Sequence, residues 1–276
     1  MKTQLIDKLQ LTGKGVISII GAGGKTSLMF QLAKQLADSG KNVLTTTTTK
    51  IFMPKPLQSP STIIKNSFRE LVKKSNTCLI DYAHFSAGSR HDSASGKLCG
   101  FAPDVIDQLW QADIFDWIIV EADGARQKPL KATASYEPVV PGSTTHLILV
   151  TGLDAVGIPL NEGHVHRAEL FSKNTGFILG NTLDEKSIAT GIAIEIKKAW
   201  LLGHTRSNPG SNCGSNSGSK SNFASNSVFL NKADNPGKIK SGQKIAKLLQ
   251  TNKIINRIIT ASLIDEFPIK SCLILK

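Results

Sequence analysis

Aromatic residues are scarce in this chain, at 6% with only two tyrosines, and the lysines and arginines nowhere form a block of five or six. The interleaved basic and aromatic pattern of a nucleic-acid groove is therefore missing, and nucleic acid is not an expected partner. No apolar run approaches the roughly 20 residues that a membrane span needs. The opening stretch MKTQLIDKLQLTGKG lacks a continuous apolar core, so it does not read as a signal peptide. The expectation is a soluble, cytoplasmic protein with no membrane partner. Four cysteines (Cys78, Cys99, Cys213, Cys272) lie too far apart for C-x-x-C pairs. They read as reduced, mostly buried small hydrophobes. Acidic residues are also few, 21 against 33 lysines and arginines, and the net charge of +12 favours an anionic partner.

Short β-branched apolar runs alternate with helical patterns. Strands are expected at VISII (16–20), NVLTTTTT (42–49), TCLIDY (77–82), WIIVEADG (117–124), HLILVTG (146–152), SVFLNKAD (227–234) and INRIIT (255–260). Between the first two, Leu28, Leu32 and Leu36 share one helical face, with Gly40 placed to end the helix. Continuous apolar strands separated by helices predict an α/β fold, P-loop NTPase-like, with a mostly parallel sheet and helices on both faces. A single such domain over 1–276 is expected. It is interrupted by a Ser/Asn/Gly-rich insertion at about 203–227, whose composition predicts a flexible surface loop.

Three stretches carry chemistry. IIGAGGKTSLMF (19–30) joins the first strand to the first long helix through Gly21, Ala22, Gly23, Gly24, Lys25, Thr26 and Ser27. The spacing is two residues shorter than G-x-x-x-x-G-K-[ST], with Ile19 where the first glycine would stand. Glycine amides and a helix N-terminus suit an anion. Lys25 is then expected to reach the β- and γ-phosphates of GTP or ATP, and the Thr26 hydroxyl to hold Mg²⁺. At the end of the WIIVEADG strand, Glu121 and Asp123 point to one side as candidate metal-side carboxylates. Arg126 and Lys128 follow as candidate phosphate contacts. In VFLNKAD, Asn231, Lys232 and Asp234 have the N-K-x-D spacing that reads a guanine edge, against the plainer reading of a polar strand-to-helix turn. The TTTTTK run (45–50) would place Thr48, Thr49 or Lys50 beside the phosphates. His164 and His166 form an H-x-H pair, which is too few ligands for a metal site by itself.

Taken in order, GAGGKTS, VLTTTTTKIF, KLCGFAPDVIDQL, VEADGARQKPLKATASYEPVVP, GLDAVGIPLNEGHVHRAELF and LNKAD resemble the YqeC family. Its members are accessory proteins of selenium-dependent molybdenum hydroxylases, also called selenium cofactor biosynthesis proteins. The resemblance implies a Mg²⁺-dependent nucleoside triphosphatase that supports maturation of such an enzyme's cofactor. Its partner would be the molybdenum hydroxylase or its cofactor-insertion machinery. Two alternatives stay open: a kinase or ligase acting on a cofactor precursor held near HVHR, and a non-catalytic nucleotide-dependent chaperone. Thr133 departs from the family pattern, where a proline is expected.

Overall fold

The computed structural model describes residues 4–207 and 223–275, without the side chains of 203–207. The chain opens with α1 (Leu5–Leu9), β1 (Gly15–Gly21), α2 (Lys25–Asp38), β2 (Val43–Thr47), β3 (Lys50–Phe52), β4 (Thr62–Ile64) and α3 (Phe68–Asp81). It continues through β5 (His84–Gly88), β6 (Arg90–Asp92), β7 (Lys97–Cys99), α4 (Pro103–Gln111), β8 (Trp117–Glu121), β9 (Leu130–Lys131) and β10 (His146–Gly152). It ends with β11 (Val165–His166), α5 (Ala168–Thr175), α6 (Glu185–Ser207), β12 (Ser225–Asn231), α7 (Pro236–Leu249), β13 (Arg257–Ala261) and β14 (Ile269–Ile274).

Nine strands join in one sheet of order β14-β13-β12-β10-β1-β8-β2-β5-β4. Its neighbours are parallel except at the β13–β14 edge, which is antiparallel. Every residue of β1 is buried, as a central strand covered on both faces requires. Its side chains alternate between two cores. Val16 and Ile20 pack with Leu44, Phe85, Ile118 and Val120, whereas Ile17 and Ile19 pack with Leu28, Leu32 and Leu36 of α2. Ile188, Ile192 and Ile196 of α6 and Ile245 of α7 close the first core. Helices thus cover both faces, and the α/β architecture expected from the strand runs is present. Helix α2 ends as anticipated: Gly40, at φ 82°, donates its N–H to Ala37, and Lys41 donates to Leu36.

From β1 the chain winds toward β2, β4 and β5, returns at β8, then crosses to β10, β12 and β13. The crossing sets a topological switch beside β1, with the carboxyl ends of β8, β10 and β12 around it. Open α/β sheets bind ligands in that crevice. A separate antiparallel sheet, β3-β7-β6, stands next to it.

Two expectations need correction. TCLIDY is not a strand: residues 77–81 finish α3, and the strand is the following HFSAG, β5. Leu71, Val72, Ser75, Cys78 and Leu79 face the core at helical spacing, which leaves Ile80 in water at 83% exposure. The insertion also has narrower limits than its composition suggested. Residues 203–207 continue the backbone of α6 and Ser225–Ser227 already lie in β12, while 208–222 and Cys213 lie outside the described residues. Of the other cysteines, only Cys99 is buried; Cys78 and Cys272 are half-buried.

Two buried histidines give the fold a pH dependence. His84, against the Phe30 ring and the Thr45 hydroxyl, and His146, against the Trp117 ring, are both pushed down to about 4, chiefly by burial. Both stay neutral when folded but take up a proton near pH 6.5 when unfolded, so stability rises with pH across the window from 4 to 6.5. The slope should approach ~1.4 kcal/mol per pH unit for each histidine. Urea denaturation across that window would measure it, and His146→Gln should remove one histidine's share, ~1.4 kcal/mol per pH unit. A flat profile would contradict these burial shifts.

Candidate functional site

The turn from β1 into α2 is held on three sides. Gly21 donates its N–H to Asp123 Oδ2 (2.9 Å), Ala22 to the Val150 carbonyl (2.8 Å) and Gly23 to the Lys128 carbonyl (3.1 Å). The Gly23 carbonyl accepts from Asn231 Nδ2 (2.9 Å). Gly23 is at φ 79° and Gly24 at φ 132°. A Cβ on Gly24 would stand 2.1 Å from Asn231 Nδ2, so glycine here serves the close approach of β12. The free donors therefore differ from those anticipated. The Gly21, Ala22 and Gly23 amides are engaged within the protein. Those of Gly24, Lys25, Thr26 and Ser27 have no acceptor among the described residues, and these four residues line one cavity of 960 Å³.

Glu121 and Asp123 sit at the tip of β8 as the alternation predicts, yet they serve different places. Glu121 faces the cavity and accepts a hydrogen bond from Thr26 Oγ1 at 2.7 Å. Burial raises its carboxyl above the ordinary range, against the opposing Lys25 charge and Thr26 hydroxyl. Asp123 is fully buried beneath the bend, between Lys25 Nζ (3.2 Å), Lys131 Nζ (3.0 Å) and the Gly21 amide. Lys25 folds back on both acids and on the Gly21 carbonyl (2.7 Å). Burial disfavours its charge, but Asp123 and Glu121 outweigh that and hold the ammonium above its usual range.

Sequence reasoning missed the rest of this network. Lys131, 1% exposed at its side chain, bridges Asp123 to Glu137 (3.0 Å), and Arg167 caps Glu137 at 2.6 Å. Six charges alternate in sign from Glu121 through Lys25, Asp123, Lys131 and Glu137 to Arg167. Burial would raise the Glu137 carboxyl, but Arg167 and Lys131 bring it down to about 2. Lys131 and Arg167 lie in the stretches PLK and HVHR, and neither pattern signals a partner, because β9 and β11 meet only through the tertiary fold.

The remaining candidates divide. Thr49 and Lys50 reach the cavity, with Lys50 paired to Asp92 (2.9 Å), whereas Thr48 donates to the Val139 carbonyl (2.8 Å). Arg126 is exposed on the cavity wall. Lys128 lines it too but gives its ammonium to the Glu162 and Gly163 carbonyls. His164 is exposed and bonded to Asn161 (3.0 Å), while His166 is half-buried and pushed down to about 4 by burial and the nearby Arg167, Lys131 and Arg126. No group of three or more His, Cys, Asp or Glu able to hold a metal occurs among the described residues. Thr133 donates its N–H (3.1 Å) and its hydroxyl to Glu195, two bonds a proline could not make.

The N-K-x-D element splits as well. Asn231 is 4% exposed, donates to the Gly23 carbonyl and accepts from the Leu263 amide (3.3 Å), so it clamps the bend, and it also lines the same pocket as Asp234. Lys232 bonds Asp154 at 2.5 Å. Asp234, paired with Lys238 (2.9 Å), lines a second pocket of 430 Å³ that shares Gly24, Ser27 and Lys232 with the first. Leu57 and Ile264, 102% and 86% exposed, also line it.

A family model described as YqeC protein matches residues 17–169, more than half of the chain. The Escherichia coli (strain K12) protein "Uncharacterized protein YqeC" is 40% identical over 168 residues, covering 61% of this chain and 63% of that one. The match thus spans a little under two thirds of the relative's length. Among solved structures, FlhF complexed with GMPPNP and Mg²⁺ has 12% identity and a TM-score of 0.41, over 95% of this chain and 70% of that one. The MinC:MinD cell division complex of Aquifex aeolicus gives 13% and 0.40, over 89% and 81%. FtsY of Mycoplasma mycoides gives 14% and 0.36, over 98% and 67%. These superpositions are loose, and nothing about ligand or reaction follows from them. No helix among the described residues is long and apolar enough to cross a membrane.

Proposed function

The chain belongs to the YqeC family, and from that premise and the cleft geometry we propose a Mg²⁺-dependent nucleoside triphosphatase acting in maturation of a selenium-dependent molybdenum hydroxylase. One observation carries the nucleotide reading. The unengaged amides of Gly24 to Ser27, at the N-terminus of α2, open onto the same cavity as the Thr26–Glu121 pair. Amides and helix dipole suit phosphate oxygens. Mg²⁺ is held by one or two protein oxygens together with phosphates and water, so Thr26 Oγ1 and Glu121 Oε2, 2.7 Å apart, fit it. When bound, the ion neutralises charge developing on the phosphates.

The chain's own residues supply the rest. Lys25 gives up the Gly21 carbonyl and swings to the β- and γ-phosphates. Asp123 stays behind to hold the Gly21 amide, its charge still balanced by Lys131. Arg126 offers the cavity a guanidinium for charge that builds at the terminal phosphate. Asp234 reads the base, with the ring between Leu57 and Ile264. Guanine offers an acceptor carboxylate two N–H donors and adenine does not. In a titration panel, GTP should therefore bind at least about tenfold tighter than ATP or CTP. The preference should vanish in Asp234→Ala and all affinity should drop without Mg²⁺. Equal affinity for the three nucleotides would leave this aspartate as a turn residue.

A second reading, transfer of the terminal phosphoryl to a small acceptor, has one observation in its favour: the cavity continues well past the bend, to Phe52 and Lys97.

A further inference from the structure

The glycine bend makes only one wall of the 960 Å³ cavity. Thr49, together with Lys50 to Phe52 and Lys97 of the small β3-β7-β6 sheet, lines it too, as do residues 124–128. Pockets for a whole small molecule run to roughly 300–1,000 Å³. If the base lies in the adjoining 430 Å³ pocket, the larger cavity has only phosphates and an ion to hold on its near side. Much of its far side is then spare.

That far side is not an indifferent surface. Phe52, 54% exposed, lines the cavity, and Lys97 Nζ stands over its ring in a cation–π contact, 5.2 Å from the ring centre. Most cations on the cavity walls are already engaged: Lys25 with Asp123, Lys50 with Asp92, Lys128 with two carbonyls, Lys232 with Asp154. The Lys97 ammonium and the Arg126 guanidinium have no ion pair or hydrogen bond among the described residues. Arg126 and Gln127 also hold φ of 47° and 61°, consecutive left-handed positions that side chains disfavour. Strain of this kind gathers where a backbone must present a group to a ligand. An exposed apolar ring that already draws the Lys97 ammonium, with the unpaired Arg126 guanidinium on the same cavity, matches a molecule that has a ring and an acid group.

We propose that the far side of the cavity is a second ligand subsite, for a small anionic molecule carrying a flat ring, which stacks on Phe52 with its acid group toward Lys97 and Arg126. The assignment rests on the triphosphate reading in one respect: phosphates on the near side would set this ligand beside the terminal phosphate, where an acceptor stands.

The test uses the whole chain with Mg²⁺ and a non-hydrolysable triphosphate analogue, titrated with 2-naphthyl phosphate, inorganic phosphate and 2-naphthol. Naphthyl phosphate should bind at least about tenfold tighter than either fragment and leave the analogue in place. Phe52→Ala, at an exposed position, should weaken naphthyl phosphate about fivefold and leave inorganic phosphate unchanged. In the titration without analogue, where Arg126 has no terminal phosphate to serve, Arg126→Ala should weaken both phosphates. Naphthyl phosphate binding no tighter than inorganic phosphate, indifference to Phe52→Ala, or release of the analogue would each overturn the subsite. The same titration without analogue separates the two ideas. Phe52-dependent binding by a chain that takes no triphosphate would keep the subsite and sink the nucleotide reading.

Discussion

Lys25→Ala is expected to weaken binding of a Mg²⁺–triphosphate at least about a hundredfold and also to destabilise the fold by ~3 kcal/mol. The first effect follows from removing the one flexible cation that can meet the phosphates at the bend. The second arises because the ligand-free lysine is 5% exposed and lies against Glu121, Asp123 and the Gly21 carbonyl. Taking away one partner of a buried ion pair strands the other, which costs ~3–5 kcal/mol. The low end applies here, since Asp123 keeps Lys131 and the Gly21 amide. Calorimetric titration and urea denaturation measure the two effects separately. Lys25→Met keeps the apolar stem and serves if the alanine variant does not fold. Undiminished binding by either folded variant would remove the phosphate assignment.

Lys131→Met should have the larger effect on stability, ~3–5 kcal/mol, seen as a lower urea midpoint at an unchanged slope. Lys131 Nζ lies 3.0 Å from Asp123, 3.0 Å from Glu137 and 2.7 Å from the Gly124 carbonyl, with 1% of its side chain exposed. Methionine fills much of the space but offers no donor. Arg167 still caps Glu137 and Lys25 still faces Asp123, but each acid loses its second cation and the Gly124 carbonyl loses its donor. The Glu137 carboxyl, now at about 2, should titrate closer to its ordinary range. A carboxyl depressed in the folded state adds stability above its unfolded pKa and loses it as the pH falls through the folded value. The variant should therefore lose less stability than the parent on acidification from pH 4.5 toward 2. A change of midpoint worth under ~1 kcal/mol would show that this lysine is not holding the two acids together.

Much of the fold was legible because its signals are local. Buried parallel strands need apolar runs, which β8 and β10 show unbroken, β1 with only Ser18 inside it, and β12 as the short stretch VFL. Helix α2 shows its buried leucines at a spacing of four and a glycine after its end. TCLIDY misled for the same reason: four of its residues fit a strand, and only the core behind α3 decides that Leu71, Ser75 and Cys78 share a face. At the site, Lys25, Thr26 and Glu121 were readable as a strand-loop-helix beside an acidic strand tip. What could not be read was which groups the protein keeps for itself. Asp123 and Asn231 resemble ligand contacts in sequence but hold the bend in the structure. Lys131, Glu137 and Arg167 belong to no periodic pattern. Thr133, an apparent blemish in a family motif, meets Glu195 from a helix 62 residues away.

The clasp between Gly23 and Asn231 spans 208 positions of sequence, and this bears on how the protein is made. A ribosome has released the whole of α2 long before it has synthesised the strand that fastens the turn in front of it. For most of translation the emerging polypeptide carries an open, unfastened version of its own pocket. The bend acquires this clasp only after β12 has been made.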